Sequence, residues 1–483
     1  MNQTSLKKQT ISSLIWTACQ KFGTLFLSFF GNLVLARFLT PNDYGLVGML
    51  TIFISLSEVF IDSGFGSALI QKDNVTEIDY STVFWINVSI SIFCYLILYI
   101  TAPFVEKFYE MDLLKEILRV KGIVLIIQSF RIIQTTKLTK DLNFKTLSIV
   151  YFICTLISTI VSIILAILGF GVWSLVVKTL LESSLKTIIL LIVGKWKPLF
   201  KFSIKSFKSL FSYGGVMLLT SIVLRLYSSA QSLIIGKCFS AKELGLYTQA
   251  TKLEDVPTTA MEGVVNQVTF PVFSRIKDEK EIIHKALKRV LINLSYISFP
   301  LMIFFIVCAE PIFEILYNET WQAAIPYFKY LCLVGMMVSV NTVNTNLIKA
   351  SGRKKEYFNL QVTKRIVAII ILILSLKFGM QGLLISRIII EYGFFVANGK
   401  ITQKIIGYKV IEQIKDCLPN YLLSVFVGVL VYFIFRNINM SNFFQITVIG
   451  LTYFIIYILI SWLLKFKALY SYKDIIMNKI KGR

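Results

Sequence analysis

Histidine is almost missing from this chain: of 483 residues one is histidine, His284, and it sits in a charged stretch. That argues against a histidine metal site. Seven cysteines are too few and too scattered for a disulfide scaffold. Cys19, Cys94, Cys154, Cys308 and Cys332 lie in apolar runs, and no two make a metal or redox spacing. No G-x-x-x-x-G-K-[ST] loop is present, so the chain carries no built-in ATPase. A zinc motif, a dinucleotide fingerprint and a nucleophile elbow are absent as well. No cofactor is expected. There is no cleavable signal pattern, because Met1 to Thr10 is polar and the first apolar segment is too long for a signal core. Acids are scarce, 27 against 50 lysines and arginines. Polar connections long enough to hold a soluble domain are lacking.

What fills the chain is apolar. Hydrophobic residues make up 56% of it and the mean hydropathy is +0.72, far above a soluble domain. A spanning helix needs about 20 mostly apolar residues. The sequence predicts an all-α, polytopic membrane protein with about fourteen spans. They fall near 12–36, 45–70, 81–103, 117–136, 147–168, 172–194, 210–235, 244–272, 290–309, 326–348, 359–377, 382–405, 418–435 and 443–464. In so apolar a chain the net charge of +23 reads as basic cytoplasmic loops, not as a nucleic-acid footprint. With the N-terminus inside, inner loops and tails hold about 31 Lys/Arg and outer loops about 9. The strongest inner loop carries Lys195, Lys197, Lys201, Lys205 and Lys208. An even span count puts both termini in the cytoplasm. The tail from Lys465 to Arg483 alternates basic and apolar residues, as a surface-lying or a disordered basic tail would.

The chain also repeats itself. Leu35-Ala36-Arg37-Phe38-Leu39-Thr40-Pro41-Asn42-Asp43-Tyr44-Gly45-Leu46 returns 200 residues later as Ile235-Gly236-Lys237-Cys238-Phe239-Ser240-Ala241-Lys242-Glu243-Leu244-Gly245-Leu246. Basic matches basic, acid matches acid, and the Gly-Leu pair keeps register. An offset of six spans makes the copies parallel, related by an axis along the membrane normal. We therefore expect a six-helix lobe over 1–205, a second over 206–410, and two added helices with a basic tail over 411–483. Such repeats are a transporter signature, with the substrate site at the seam.

Charge at bilayer depth costs several kcal/mol and normally faces protein, water or cargo. Lys21, Arg131, Arg225 and Lys252 are the cations of this kind, and Glu58, Asp62, Glu254, Asp255 and Glu262 the acids. Subtracting 200 places Arg225 four residues after Lys21, on one helix face and about 6 Å away in depth. Glu262 falls on Asp62. A cavity with cations from spans 1 and 7 suits an anionic cargo, and the acids are candidates for ion coupling. Simpler roles compete. Lys21 could snorkel to the inner interface, and Arg131 could pair with an acid of a neighbouring helix. Lys178 with Glu182, and Arg387 with Glu391, have the spacing of intrahelical pairs. Gly64, Gly66, Gly214 and Gly215 read as close-packing positions.

Ala36-Arg37-Phe38-Leu39-Thr40-Pro41-Asn42-Asp43-Tyr44-Gly45 and Asp62-Ser63-Gly64-Phe65-Gly66-Ser67-Ala68-Leu69-Ile70-Gln71 resemble the polysaccharide-export flippases that move lipid-linked O-antigen, capsule or colanic-acid repeat units. Leu138-Thr139-Lys140-Asp141-Leu142-Asn143-Phe144-Lys145 is similar to the loop after that family's fourth helix. Leu244-Gly245-Leu246-Tyr247 and Phe270-Pro271-Val272-Phe273-Ser274-Arg275 are similar to its second lobe. The resemblance implies the fold of the multidrug, oligosaccharidyl-lipid and polysaccharide exporter superfamily, two six-helix lobes around a cavity that opens alternately to each side. It implies an undecaprenyl-diphosphate oligosaccharide as cargo and no catalysis. It gives Lys21, Arg131, Arg225 and Lys252 the role of cavity cations. Membrane lipids, and a glycan polymerase with its chain-length machinery, become the expected partners in a bacterial inner membrane. A drug/cation antiporter or a lipid II flippase of the same fold are rivals, as is a membrane glycan polymerase or ligase. The antiporter would favour an anionic or aromatic pocket, the polymerase a sizeable outer loop.

Overall fold

The computed structural model describes residues 3–470 except Ser63, Asp73 and Asn439. At some further positions, most of them in 3–15 and 211–227 and including Asp62 and Lys354, only the backbone is described. The part of the basic tail beyond residue 470 lies outside the described residues. The described residues hold no strand. The helices are α1 (Gln3–Phe38), α2 (Pro41–Asp62), α3 (Phe65–Gln71), α4 (Glu77–Tyr109), α5 (Leu113–Ser129), α6 (Ile132–Lys140), α7 (Phe144–Ile167), α8 (Val172–Gly194) and α9 (Ile204–Cys238). They continue as α10 (Ala241–Arg275), α11 (Lys280–Val307), α12 (Ala309–Leu316), α13 (Ile325–Ala350), α14 (Lys354–Ser375), α15 (Gly379–Ile406), α16 (Val410–Phe435) and α17 (Asn442–Leu463).

Each apolar run expected to span coincides with helix, but two of the runs are broken. The second is cut at Gly64, whose φ of 67° is left-handed. A side chain there would be strained, so Gly64 ends α2 and starts α3 and is more than a packing position. The fourth is cut at Phe130–Arg131, which places Arg131 at the N-cap position of α6 and not in mid-helix. Among the described residues nine segments are long and apolar enough to cross a membrane, the hairpin Lys355–Ile406 counting once. The helices outside that set are α5, α8, α9 and α10 among the long ones. They carry Lys121, Lys178 with Glu182, Arg225, and Lys252 with Glu254, Asp255 and Glu262. On α8 and α10 charge and other polar groups replace apolar surface, whereas α5 is short at 17 residues and α9 contains positions of which only the backbone is described.

The chain forms two compact units, Met1–Gly245 and Leu246–Arg483. In the first, α4 packs on α5, α1 on α7, and α9 on α2, α3 and α4. Its core gathers Phe65, Val83, Phe84, Ile133 and Trp196. In the second, α11 packs on α13 and α16, α13 on α15, and α16 on α17. Apolar side chains such as Phe104, Phe93 and Phe443 face outward, as lipid contact allows. Because α9 packs into the first unit, the compact unit and the duplicated sequence unit are different divisions of the chain.

The repeated loop has a physical reason for its pattern. Thr40 and Asp43 cap α2 reciprocally: the Thr40 amide donates to Asp43 Oδ2 at 2.9 Å and the Asp43 amide to Thr40 Oγ1 at 3.3 Å. In the second copy the Glu243 amide donates to Ser240 Oγ at 3.1 Å. Hydroxyl and acid three residues apart are thus a cap kept in both copies. The paired glycines are contacts. A Cβ on Gly45 would fall into the backbone carbonyl of Ala241, and a Cβ on Gly245 into that of Pro41. Pro41 and Ala241 are themselves 200 apart, so the same contact is made once from each copy of the repeat.

Candidate functional site

Buried charge concentrates in each unit separately. In the first, Lys121 on α5 is 8% exposed. Glu58 on α2 is close enough to act electrostatically on both Lys121 and Arg131. The Glu58 carboxylate also accepts from Gln128 Nε2 at 3.4 Å. Arg131 reaches α8, its Nη1 donating to Ser183 Oγ at 3.0 Å. One residue before Ser183, Glu182 accepts from Thr155 Oγ1 of α7 at 2.9 Å and pairs with Lys186. Its ion pair is with the lysine one turn later, not with Lys178. Helices α2, α5 and α8 and the start of α6 thus bring four cations, Lys121, Arg131, Lys178 and Lys186, to two acids, Glu58 and Glu182. The balance of this group is positive, and a net positive interior needs anions from elsewhere.

The second unit has the opposite balance on α10. Glu254 is 6% exposed and its carboxylate accepts from Thr258 Oγ1. It lies against Gly335 of α13, where any side chain would displace it. Two turns on, Glu262 accepts from Thr342 Oγ1 at 2.7 Å. Behind them runs a polar chain. Lys364 Nζ donates to Asn398 Oδ1 at 3.0 Å and stands 4.3 Å over the Phe394 ring. Asn398 leads to Asn341, which donates to the Glu391 carboxylate. Amides here separate a buried cation from a partly buried acid, so α13, α14 and α15 share one hydrogen-bonded network.

The structure sorts the residues named from sequence. Glu58 and Arg131 are brought together. Glu262 joins α13, and Asp255 and Lys252 are exposed on α10. The Asp62 side chain lies outside the described residues. Lys21 and Arg225 are exposed on α1 and α9; their backbone carbonyls accept from Thr24 and Ser228, and neither side chain forms an ion pair among the described residues. Two buried cations were not expected, Lys121 and Lys364. Each stands near the start of an expected span, Lys121 in 117–136 and Lys364 in 359–377, and hydropathy alone does not mark either as buried. The helices α5 and α14 begin earlier than those spans, and this carries both lysines inside.

A family model described as "Polysaccharide biosynthesis protein" matches residues 34–326. The chain is 28% identical over 351 residues to the teichuronic acid biosynthesis protein TuaB of Bacillus subtilis, covering 72% of this chain and 73% of that protein. It is 23% identical to the lipopolysaccharide biosynthesis protein WzxC of Escherichia coli, covering 88% and 85%. Among solved structures it is similar to the lipid II flippase MurJ in an inward closed conformation, with TM-score 0.73, 17% identity, and 96% and 100% coverage. A multidrug resistance transporter of the MATE family in an inward-facing conformation matches with TM-score 0.58, 15% identity, and 86% and 98% coverage. At those identities the two structures speak for the fold alone, a polytopic all-helical membrane fold. With the family model covering well over half of it, this chain belongs to the polysaccharide biosynthesis protein family.

Proposed function

We propose that the protein is a flippase that carries a lipid-linked oligosaccharide repeat unit, joined through a diphosphate to a polyprenyl chain, across the bacterial inner membrane. The observation that carries this reading is the positive balance of buried charge in the first unit, with Arg131 held on Ser183. An arginine anchored by one nitrogen keeps further donors for a phosphate, which it can bind in two-pronged fashion. The relatives' names, in teichuronic acid and lipopolysaccharide biosynthesis, support a glycan cargo. In this reading the halves 1–205 and 206–410 work as lobes in alternating access, and 411–483 is an addition. Lys21, Arg225 and Lys252 serve as further contacts for the anion, Glu58, Asp62, Asp255 and Glu262 as candidates for ion coupling. A glycan polymerase receives the product outside.

Arg131→Ala abolishes surface glycan at normal protein level and leaves lipid-linked repeat units on the cytoplasmic leaflet, whereas Arg131→Lys keeps part of the export. Leaflet-specific labelling of the lipid-linked units measures this. Normal export by Arg131→Ala would remove Arg131 from the mechanism, and absence of accumulation in a strain deleted for the protein would remove the flippase reading.

Orientation follows from the basic loops, with both termini and the 195–208 loop cytoplasmic. A cysteine at Lys201, in a background free of other cysteines, stays unlabelled by an impermeant thiol reagent applied outside spheroplasts and is labelled in inverted vesicles. Labelling from outside overturns this topology.

A further inference from the structure

The loop between α8 and α9 is built unusually for a cytoplasmic connection. Its backbone is stitched to the start of α4. The Leu199 amide donates to Ser81 Oγ at 3.0 Å, Trp85 Nε1 donates to the Leu199 carbonyl at 2.9 Å, and the Ser203 amide donates to Thr82 Oγ1 at 3.1 Å. With its polar backbone turned inward, the loop shows apolar side chains outward. Phe200 is 91% exposed, and Phe202 and Ile204 are exposed beside it. Lys197, Lys201, Lys205 and Lys208 are exposed among them. No acid occurs in the sequence between Glu182 and Glu243. The acids nearest in the fold are engaged: Asp79 with Lys72, and Glu77 with Lys137 and Trp196. Aromatic and cationic groups side by side suit a lipid–water interface.

An apolar cleft of about 670 Å³ opens under this loop. Phe60, Phe65, Trp85, Phe93, Phe202 and Phe207 line it. Its wall follows α4 from Trp85 to Ile97, a rise of about 18 Å. Phe202 belongs to both the cleft and the basic loop, and Trp85 of the cleft is hydrogen-bonded to the loop at Leu199, so the two are continuous. All of it lies within the first unit.

We infer that this loop and cleft are the loading site for the cargo lipid in the cytoplasmic leaflet: the lysines take the diphosphate of a polyprenyl diphosphate and the cleft takes the first part of its chain. This rests on the flippase reading. Charge complementarity decides the occupant. Four exposed lysines, with the nearest acids already paired to Lys72 and Lys137, favour a compact head group carrying several negative charges over a singly charged phospholipid. An elongated aromatic-lined cleft suits a branched unsaturated chain.

The test uses the full-length protein in detergent micelles with undecaprenyl diphosphate as the probe. Binding by the wild type, weakened at least about tenfold by Lys201→Ala, Lys205→Ala and Lys208→Ala together and restored by arginine at all three, is expected. Ser89→Trp, which fills the cleft, weakens it comparably. A photoreactive polyprenyl diphosphate labels segments 85–97 and 199–208 of the wild type, and this measurement stands even if a variant fails to fold. The proposal is overturned if the triple alanine variant binds within about twofold of wild type. It is equally overturned if phosphatidylglycerol displaces the probe at equal concentration, or if the label lands elsewhere. The flippase reading is judged separately, by accumulation of lipid-linked units in the deletion strain. It survives when those accumulate and the loop variants bind normally.

Discussion

Valine at position 45 abolishes export and sharply lowers the yield of folded protein, and valine at 245 does the same. Each added Cβ would enter a backbone carbonyl, Ala241 for Gly45 and Pro41 for Gly245. A crowded side chain can rotate away, but a carbonyl at the first turn of a capped helix cannot. Overpacking usually costs about 1–3 kcal/mol, and an obstacle made of backbone puts both substitutions at or above the top of that range. Melting of the purified protein and surface glycan at matched expression check this. A valine variant at either position that melts and exports like wild type would mean that the two loops do not touch in the working protein. Because the contacts are copies of one another, a large effect at 45 with none at 245 would also contradict that equivalence.

Those glycines show how far the sequence can be read. The repeat makes Gly45 and Gly245 conspicuous, and the helices follow from the apolar runs. That the glycines touch each other's loops does not follow, because nothing in one loop names its partner. The hydroxyl–acid spacing in both copies was visible as pattern, and its meaning as a helix cap needs only local geometry. Breaks were less legible. Gly64 sits among Phe65, Gly66 and Ala68 and looks like a packing residue until its φ is known. Arg131 looks like a charge within a span because Phe130 and Ile132 on either side are apolar. Lys121 and Lys364 could not be found by hydropathy at all, since hydropathy alone does not mark a lysine near the start of an expected span as buried. Only the true helix starts, at Leu113 and Lys354, reveal their depth.

Glu58→Gln destabilises the protein and stops export, and the double variant Glu58→Gln, Lys121→Met recovers the stability but not the export. Lys121 is buried, and Glu58 is the acid that acts on it. Removing one partner of a buried pair strands the other charge, at a cost of about 3–5 kcal/mol when both are fully enclosed. Glu58 is partly exposed, so a loss of about 1–3 kcal/mol is expected here. Methionine matches the lysine stem in shape and leaves no charge to strand, which is why the double variant melts near wild type. It still lacks a cation that the proposed anion site uses. Denaturation midpoints of the four proteins form a double-mutant cycle that isolates the coupling. An unchanged midpoint for Glu58→Gln, or normal export by the double variant, defeats the prediction.

The packing of α9 into the first unit has a consequence for biogenesis. While the ribosome is still making the chain, α2 emerges with the face that α9 will cover, including Ser55, whose hydroxyl meets Ser229 at 3.2 Å. Synthesis from Gly194, the end of α8, to Cys238, the end of α9, takes about 2–9 s at ~5–20 residues per second. For that interval this face of α2 lacks the helix that will cover it, and the insertion machinery or a neighbouring chain has access to it. The first unit is therefore assembled only after the second copy of the repeat has begun, which ties the insertion of the two halves into one event.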